Sequence, residues 1–188
     1  MAPAESNVRK LPDAAAPQYR VAPQNLEAEQ ALLGAILVNN DAFYRVSDFL
    51  EPEHFVEPLH QQVYEIASKL IRAGKSASPI TLKTFLPADI DVGGMNVSQY
   101  LARLAAEATT VINAADYGRT IGDLALRRNL ISIGEDMVNV AYDSPVDSAP
   151  REQIEDAESR LYQLAETGKF GAGFQMFSQA LTLSLIHI

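Results

Sequence analysis

Three groups of residues have the types and spacing that could do chemistry, and the spacing argues against each. Gly74-Lys75-Ser76 has the closing triplet of a phosphate-binding loop. Such a loop cradles phosphate with backbone amides and neutralises it with the lysine. It also needs an earlier glycine, placed after a strand and ahead of a helix. Lys69 holds that earlier place, inside a helical pattern, so the triplet reads as a helix cap and turn. Gly168-Lys169-Phe170 fails for want of the hydroxyl residue. His54, Glu57 and His60 bring two imidazoles and a carboxylate close in sequence. Zinc on one helix pairs histidines at i and i+4 and draws in further ligands. Pro58 breaks that spacing, and both histidines read as structural. His187 stands in a terminal run without companions. Glu27 and Glu29 fit a role at the positive end of a helix dipole better than acid–base work. No glycine elbow surrounds a serine, and there is no cysteine nucleophile. Asn96-Val97-Ser98 matches a glycosylation acceptor but has no secretion signal beside it. These residues therefore predict no catalytic centre, no cofactor site and no metal site.

The bulk numbers narrow the class further. The chain has 188 residues, 47% hydrophobic and 21% charged, which is enough for a globular domain with an appendage. The absence of cysteine excludes disulfides and thiolate metal sites and permits a reducing cytosol. The longest apolar run, Ala31 to Val38, is far short of the ~20 residues of a membrane helix. The first residues lack the apolar core of a signal peptide, so the expected location is the cytoplasm, away from membranes. A net charge of −9 argues against a stand-alone DNA grip, because phosphate neutralisation needs a basic face. Arg127-Arg128 and the scatter Lys69, Arg72 and Lys75 read as solvated helix surface. The expectation is weak or no binding of single-stranded DNA by this chain.

The elements that must carry any function are helical. Pro23 to Leu37 announces a core helix: Asn25 is a good N-cap, and Ala28, Leu32 and Ile36 stack at i, i+4 and i+8. Gly34 in its middle predicts that a neighbour packs against bare backbone. A second helix is expected over Ala42–Leu50, with Phe43, Val46 and Leu50 inward. Pro52 to Phe55 makes a short helical turn. Pro58 opens a third helix that buries Leu59, Val63, Ile66, Ala67, Leu70 and Ile71, capped by Gly74. Asp91 to Asn96 is a turn-prone loop, and Val97 to Ala108 a helix using Tyr100, Leu101, Leu104 and Ala105. Ala114 to Tyr142 is the longest helical pattern, with Tyr117, Ile121, Leu124, Ile131, Met137, Val138 and Ala141 on its sticky side. Gly118 and Gly122 would admit a close neighbour. Pro150 to Thr167 is a return helix with Ile154, Ala157, Leu161, Leu164 and Ala165 inward, which makes an antiparallel hairpin.

The wording of these stretches resembles the N-terminal domain of the DnaB family of bacterial replicative DNA helicases. The proline-led cap followed by AEQALLG resembles its first helix. Pro52, Phe55, Pro58, His60, Gln61, Tyr64 and Gly74 follow the order of a second signature. Pro79, Thr81, Leu82, Phe85 and Leu86, then Gly93, Gly94, Tyr100, Leu101 and Leu104, and finally AESRLYQLAE, continue the similarity. It extends over nearly all of Pro23 to Leu183.

The resulting expectation is an all-α chain. It comprises a disordered arm over 1–22, in which Tyr19 and Val21 are the first to settle, and a compact helical subdomain over 23–110. A hairpin over 114–167 follows, then a hinge and the start of a linker helix over 168–183, and a tail over 184–188 that departs from the family's wording. The resemblance implies the collar of a hexameric helicase whose copies pair as dimers, and docking of the primase C-terminal domain on the hairpin. It also implies a helicase loader as a further partner, and an ATP- and magnesium-dependent motor domain outside this sequence. Ile131, Val138, Ile154 and Leu161 are the expected protein-binding residues, some of them shared with the packing of the hairpin on itself. Without the resemblance, a free-standing helical adaptor of replication remains open. A small α-helical enzyme is disfavoured for want of a catalytic constellation.

Overall fold

The computed structural model describes residues 20–87, 89–108, 113–143 and 149–167. Helix α1 spans Leu26–Val38, and Asn25 caps it, its Oδ1 accepting from the Ala28 amide at 3.0 Å. Short α2 (Asp41–Tyr44) follows, then a 3-10 turn at Pro52–His54, α3 (Pro58–Arg72) and α4 (Pro79–Leu82). A two-stranded ribbon, β1 (Asp91–Val92) and β2 (Met95–Asn96), leads into α5 (Val97–Glu107). Two long helices close the sequence of elements, α6 (Ala114–Asp143) and α7 (Pro150–Thr167). The chain is all-α, as its periodicities require. The expected arm lies outside the described residues except for Arg20 to Ala22, where Val21 is 73% exposed rather than settled on the fold. The expected hinge, linker and tail also lie outside them.

The core gathers around α1. Leu32, Leu33 and Ile36 are fully buried and meet Phe43, Phe55 and Leu101 in one apolar cluster. Each such side chain contributes about 1.5–3 kcal/mol by leaving water. The bare Gly34 lets α5 lie against α1 so closely that a Cβ there would stand 2.2 Å from the Leu104 carbonyl oxygen. Tyr64 of α3 lies between the Phe43 and Phe55 rings, at 5.9 and 5.0 Å, and its hydroxyl donates to the Leu50 carbonyl at 3.0 Å. Gly74 ends α3 with φ of 71°, the left-handed conformation that favours glycine. Its amide donates to the Ile71 carbonyl and that of Lys75 to the Leu70 carbonyl, both at 2.9 Å. The Gly74-Lys75-Ser76 triplet is thus the end of a helix, which is the wrong geometry for cradling phosphate.

Two segments differ from expectation. Regular α2 stops at Tyr44, although Val46 and Leu50 are fully buried as their spacing demands. Beyond Tyr44 the chain alternates three- and four-residue turns: Val46 donates to the Phe43 carbonyl, and Ser47 donates to that same carbonyl. The apolar period is satisfied by these tighter turns. The stretch 91–96 is a hairpin, pairing Asp91 with Asn96 and Val92 with Met95. Gly93 and Gly94 at φ of 59° and 83° supply the two positive angles that this tight turn requires. Asn96 then caps α5, accepting from the Gln99 amide at 3.0 Å, so the apparent glycosylation asparagine is a helix cap.

Candidate protein-docking surface

At about 1.5 Å per residue, the 30 residues of α6 extend some 45 Å. Its first turns belong to the core: Ala114, Gly118, Ile121, Gly122 and Ala125 are buried. Gly118 meets the turns after α2 rather than a helix, since a Cβ there would approach Val46 Cγ1 to 2.6 Å. Arg128 pins the next turn. Its Nη1 donates to the Pro23 carbonyl at 2.9 Å and its Nη2 to the His54 carbonyl at 2.6 Å. Arg128 is therefore a tether between α6, the entry to α1 and the 3-10 turn, not the solvated surface residue its sequence suggests. Desolvation lowers its pKa from the ordinary value, against the nearby charge of Glu29.

Beneath that tether lies a buried polar chain. Glu29, 1% exposed, accepts from the Val56 amide at 2.8 Å and pairs with His60 Nδ1 at 2.6 Å. His60 Nε2 meets the Tyr100 hydroxyl at 2.6 Å, and Gln30 Nε2 donates to that hydroxyl at 3.3 Å. A neutral imidazole protonated on Nδ1 satisfies the whole chain, with Tyr100 donating to Nε2. Burial raises the Tyr100 pKa, partly opposed by the Gln30 contact. Glu29 is thus a core acceptor joining α1, α3 and the turn between them, not the dipole-facing surface acid its position suggests. His54 acts separately: its Nδ1 accepts from the Glu51 amide at 3.1 Å. His54 and His60 are thus occupied by contacts within the fold, and no group able to hold a metal ion occurs among the described residues.

Past Arg128, α6 leaves the core and runs beside α7. The pair packs along its length: Ile133 and Ala157 are buried, and Arg160 Nη2 reaches Asp136 Oδ2 at 2.6 Å. That hydrogen bond raises the Arg160 pKa. The four expected docking residues remain partly exposed beside this seam. Ile131 and Val138 on α6 are 43% and 55% exposed, and Ile154 and Leu161 on α7 are 59% and 41% exposed. The pairs are spaced i, i+7, which gives each helix an apolar stripe. Leu130, Met137, Val140, Tyr142 and Tyr162 are exposed as well, and the sequence reading did not single these out for docking. Their signal was available, since α6 carries more apolar residues than one partner helix can cover.

Toward the free end, α6 and α7 leave a groove of about 460 Å³ between them. Met137, Val140 and Ala141 form one wall, Pro150 and Ile154 the other, with Asp136, Glu152 and Asp156 on its rim. Of the four expected residues, Ile154 alone lines it. A half-open apolar groove with a charged rim has the chemistry of a surface that can hold another protein.

Comparison with known proteins agrees with this geometry. Residues 21–123 match the family model described as the DnaB-like helicase N-terminal domain, ending within the core-packed part of α6. The replicative DNA helicase DnaB of Rickettsia conorii is 45% identical over 172 residues, covering 92% of this chain and 35% of that protein. That of Rickettsia bellii is 47% identical over 169 residues, covering 90% and 34%. The chain thus spans about a third of the length of the curated relatives it matches. The crystal structure of the DnaB N-terminal domain from Mycobacterium tuberculosis superposes with a TM-score of 0.67 at 30% identity, covering 76% of this chain and 99% of that one. A DnaB-like replicative helicase whose structure was described with its interactions with primase shares the fold, with a TM-score of 0.58 at 24% identity over 84% of this chain. With a family match over more than half its length and a near-complete structural counterpart, this chain belongs to the DnaB-like helicase N-terminal domain family.

Proposed function

We propose that this domain works as the collar of a hexameric, ATP-dependent replicative DNA helicase, joining subunits to one another and docking the C-terminal domain of primase on the α6–α7 hairpin. One observation carries the reading: α6 and α7 pack on each other with Ile133 and Ala157 buried and Arg160 paired with Asp136, yet Ile131, Val138, Ile154 and Leu161 keep 41–59% of their surface exposed. Apolar side chains repeated along two adjacent helices favour partner contact over solvation. The relatives named replicative helicase, and the fold shared with a helicase described with primase, support the choice of partner. ATP and magnesium belong to the motor of the parent protein, and a loader is a further partner of that parent. The net charge of −9 supports weak DNA binding by the domain itself.

The test combines light scattering with capture of the primase C-terminal domain. The wild-type chain is expected to self-associate and to retain primase. Acidic substitution of Ile131, Val138, Ile154 and Leu161 together is expected to release primase without loss of helicity. Retention of primase by that variant would remove the hairpin assignment.

A further inference from the structure

We infer that the groove at the free end of the hairpin receives a basic amphipathic helix of a partner protein. The inference rests on reading the hairpin as a docking surface and says which part of it is used and by what chemistry.

The groove is apolar at its floor, between Met137, Val140 and Ile154, and acidic at its rim. Asp136, Glu152 and Asp156 line it, while Glu135, Asp143 and Glu155 stand on neighbouring turns of the same helices. Two cations offset part of this charge: Arg151 pairs with Glu155 at 3.0 Å, and Arg160 with Asp136 at 2.6 Å and Asp156 at 3.9 Å, which among the described residues leaves Glu152 on the rim and Glu135 and Asp143 nearby without an arginine at ion-pair distance. The surroundings of the groove are therefore net negative among the described residues. An occupant must offer an apolar ridge with positive charge on both sides. A helix with leucine-like side chains at i, i+3, i+4 and i+7 and lysine or arginine beside them has that shape. From Asp136 to Ala141, α6 lines the groove for about one and a half turns, which suits two or three anchoring side chains of one helix. The Arg160–Asp136 pair lines the groove as well. A second copy of this chain is the poorer occupant, because its net charge of −9 would be brought against an acidic rim.

The test uses the 188-residue chain and a fluorescein-labelled helical peptide of about 18 residues, with leucines on one face and lysines elsewhere. A matched peptide carries glutamates in place of the lysines. Anisotropy is read at about 0.15 M salt. The lysine peptide is expected to bind, and the glutamate peptide to bind at least about tenfold more weakly. Ile154→Asp is expected to weaken the lysine peptide about tenfold or more, and Glu152→Lys several-fold. Ile80→Asp, at an exposed position on α4 away from the hairpin, is expected to leave it unchanged. Both groove positions are exposed, and circular dichroism checks that each variant keeps its helices. Equal binding of the two peptides, or wild-type binding by Ile154→Asp and Glu152→Lys, would overturn the inference. Primase capture that ignores both variants would overturn it while leaving primase docking on the hairpin intact. A groove-dependent lysine peptide with no primase capture would leave the inference standing and overturn the choice of primase.

Discussion

Replacing Gly34 by alanine tests whether the contact between α1 and α5 is what positions the rest of the domain. An added Cβ would sit 2.2 Å from the Leu104 carbonyl oxygen, 3.1 Å from its carbon and 3.3 Å from the Ala108 Cβ. A comfortable carbon–oxygen contact is about 3.3 Å, so α5 must retreat by about 1 Å. The obstacle is backbone, which no rotamer change can move. Overpacking of this kind costs about 1–3 kcal/mol, occasionally more, against a helix-propensity gain of about 1 kcal/mol. Because the clash is with backbone at the centre of the core, the expected outcome lies at the upper end, a net loss of about 2 kcal/mol. That corresponds to a fall in Tm of roughly 2–4 °C for each kcal/mol. Two other helical glycines calibrate the argument. At Gly118 the obstacles are side chains, Val46 Cγ1 at 2.6 Å and Phe49 Cζ at 3.2 Å, which can shift at smaller cost. At Gly134 nothing lies within 4 Å, so alanine is expected to stabilise by up to about 1 kcal/mol. Urea unfolding followed by far-ultraviolet circular dichroism gives the three midpoints. A Gly34→Ala variant as stable as wild type, or a Gly134→Ala variant as damaged as Gly34→Ala, would refute the packing argument.

Three further outcomes are expected. Glu29→Ala leaves the Val56 amide and the His60 Nδ1 proton without their acceptor in the core, and a loss of about 3–5 kcal/mol should appear in the urea midpoint. Asn40→Ala removes bonds to the Ile36 and Ala77 carbonyls and from the Ala77 amide, costing about 2–3 kcal/mol, whereas Asn25→Ala removes one cap bond and costs about 1 kcal/mol. The stability–pH profile should fall at both ends. Burial pushes the His54 imidazole below its ordinary 6.5, Glu51 and Glu53 opposing and Arg128 assisting, so its contribution is present above that value and lost as pH falls through the folded one. Burial raises Tyr64 and Tyr100 above 10.0, so theirs is complete below that value and lost as pH rises; thermal melts across pH, with His54→Gln flattening the acid limb, provide the check.

Much of the fold was legible because helix signals are local. The Asn25 cap, the Pro58 start, the Gly74 stop and the bounds of α7 follow from residue type and spacing alone, and the geometry agrees at each. The exposed apolar surface of the hairpin was half legible. An apolar excess on α6 and α7 could be counted in the sequence, but the seam of Ile133 and Ala157 could not be told from the stripes of Ile131, Val138, Ile154 and Leu161. Helix period places a residue on a face to within a turn and leaves open which face the neighbour takes.

The sequence by itself determined a helical chain whose wording resembles the DnaB-like N-terminal family to which the comparisons assign it. Composition, periodicity and caps suffice for the helices, because each depends on residues within a few positions of one another. Only tertiary structure decided the roles of Glu29, His60, Tyr100 and Arg128, which look like surface or isolated polar residues in one dimension. Their partners lie 31, 40 and 105 residues away, at distances that periodicity cannot see. A buried polar group is stable only when its hydrogen bonds are complete, and that completeness exists only once the helices have packed.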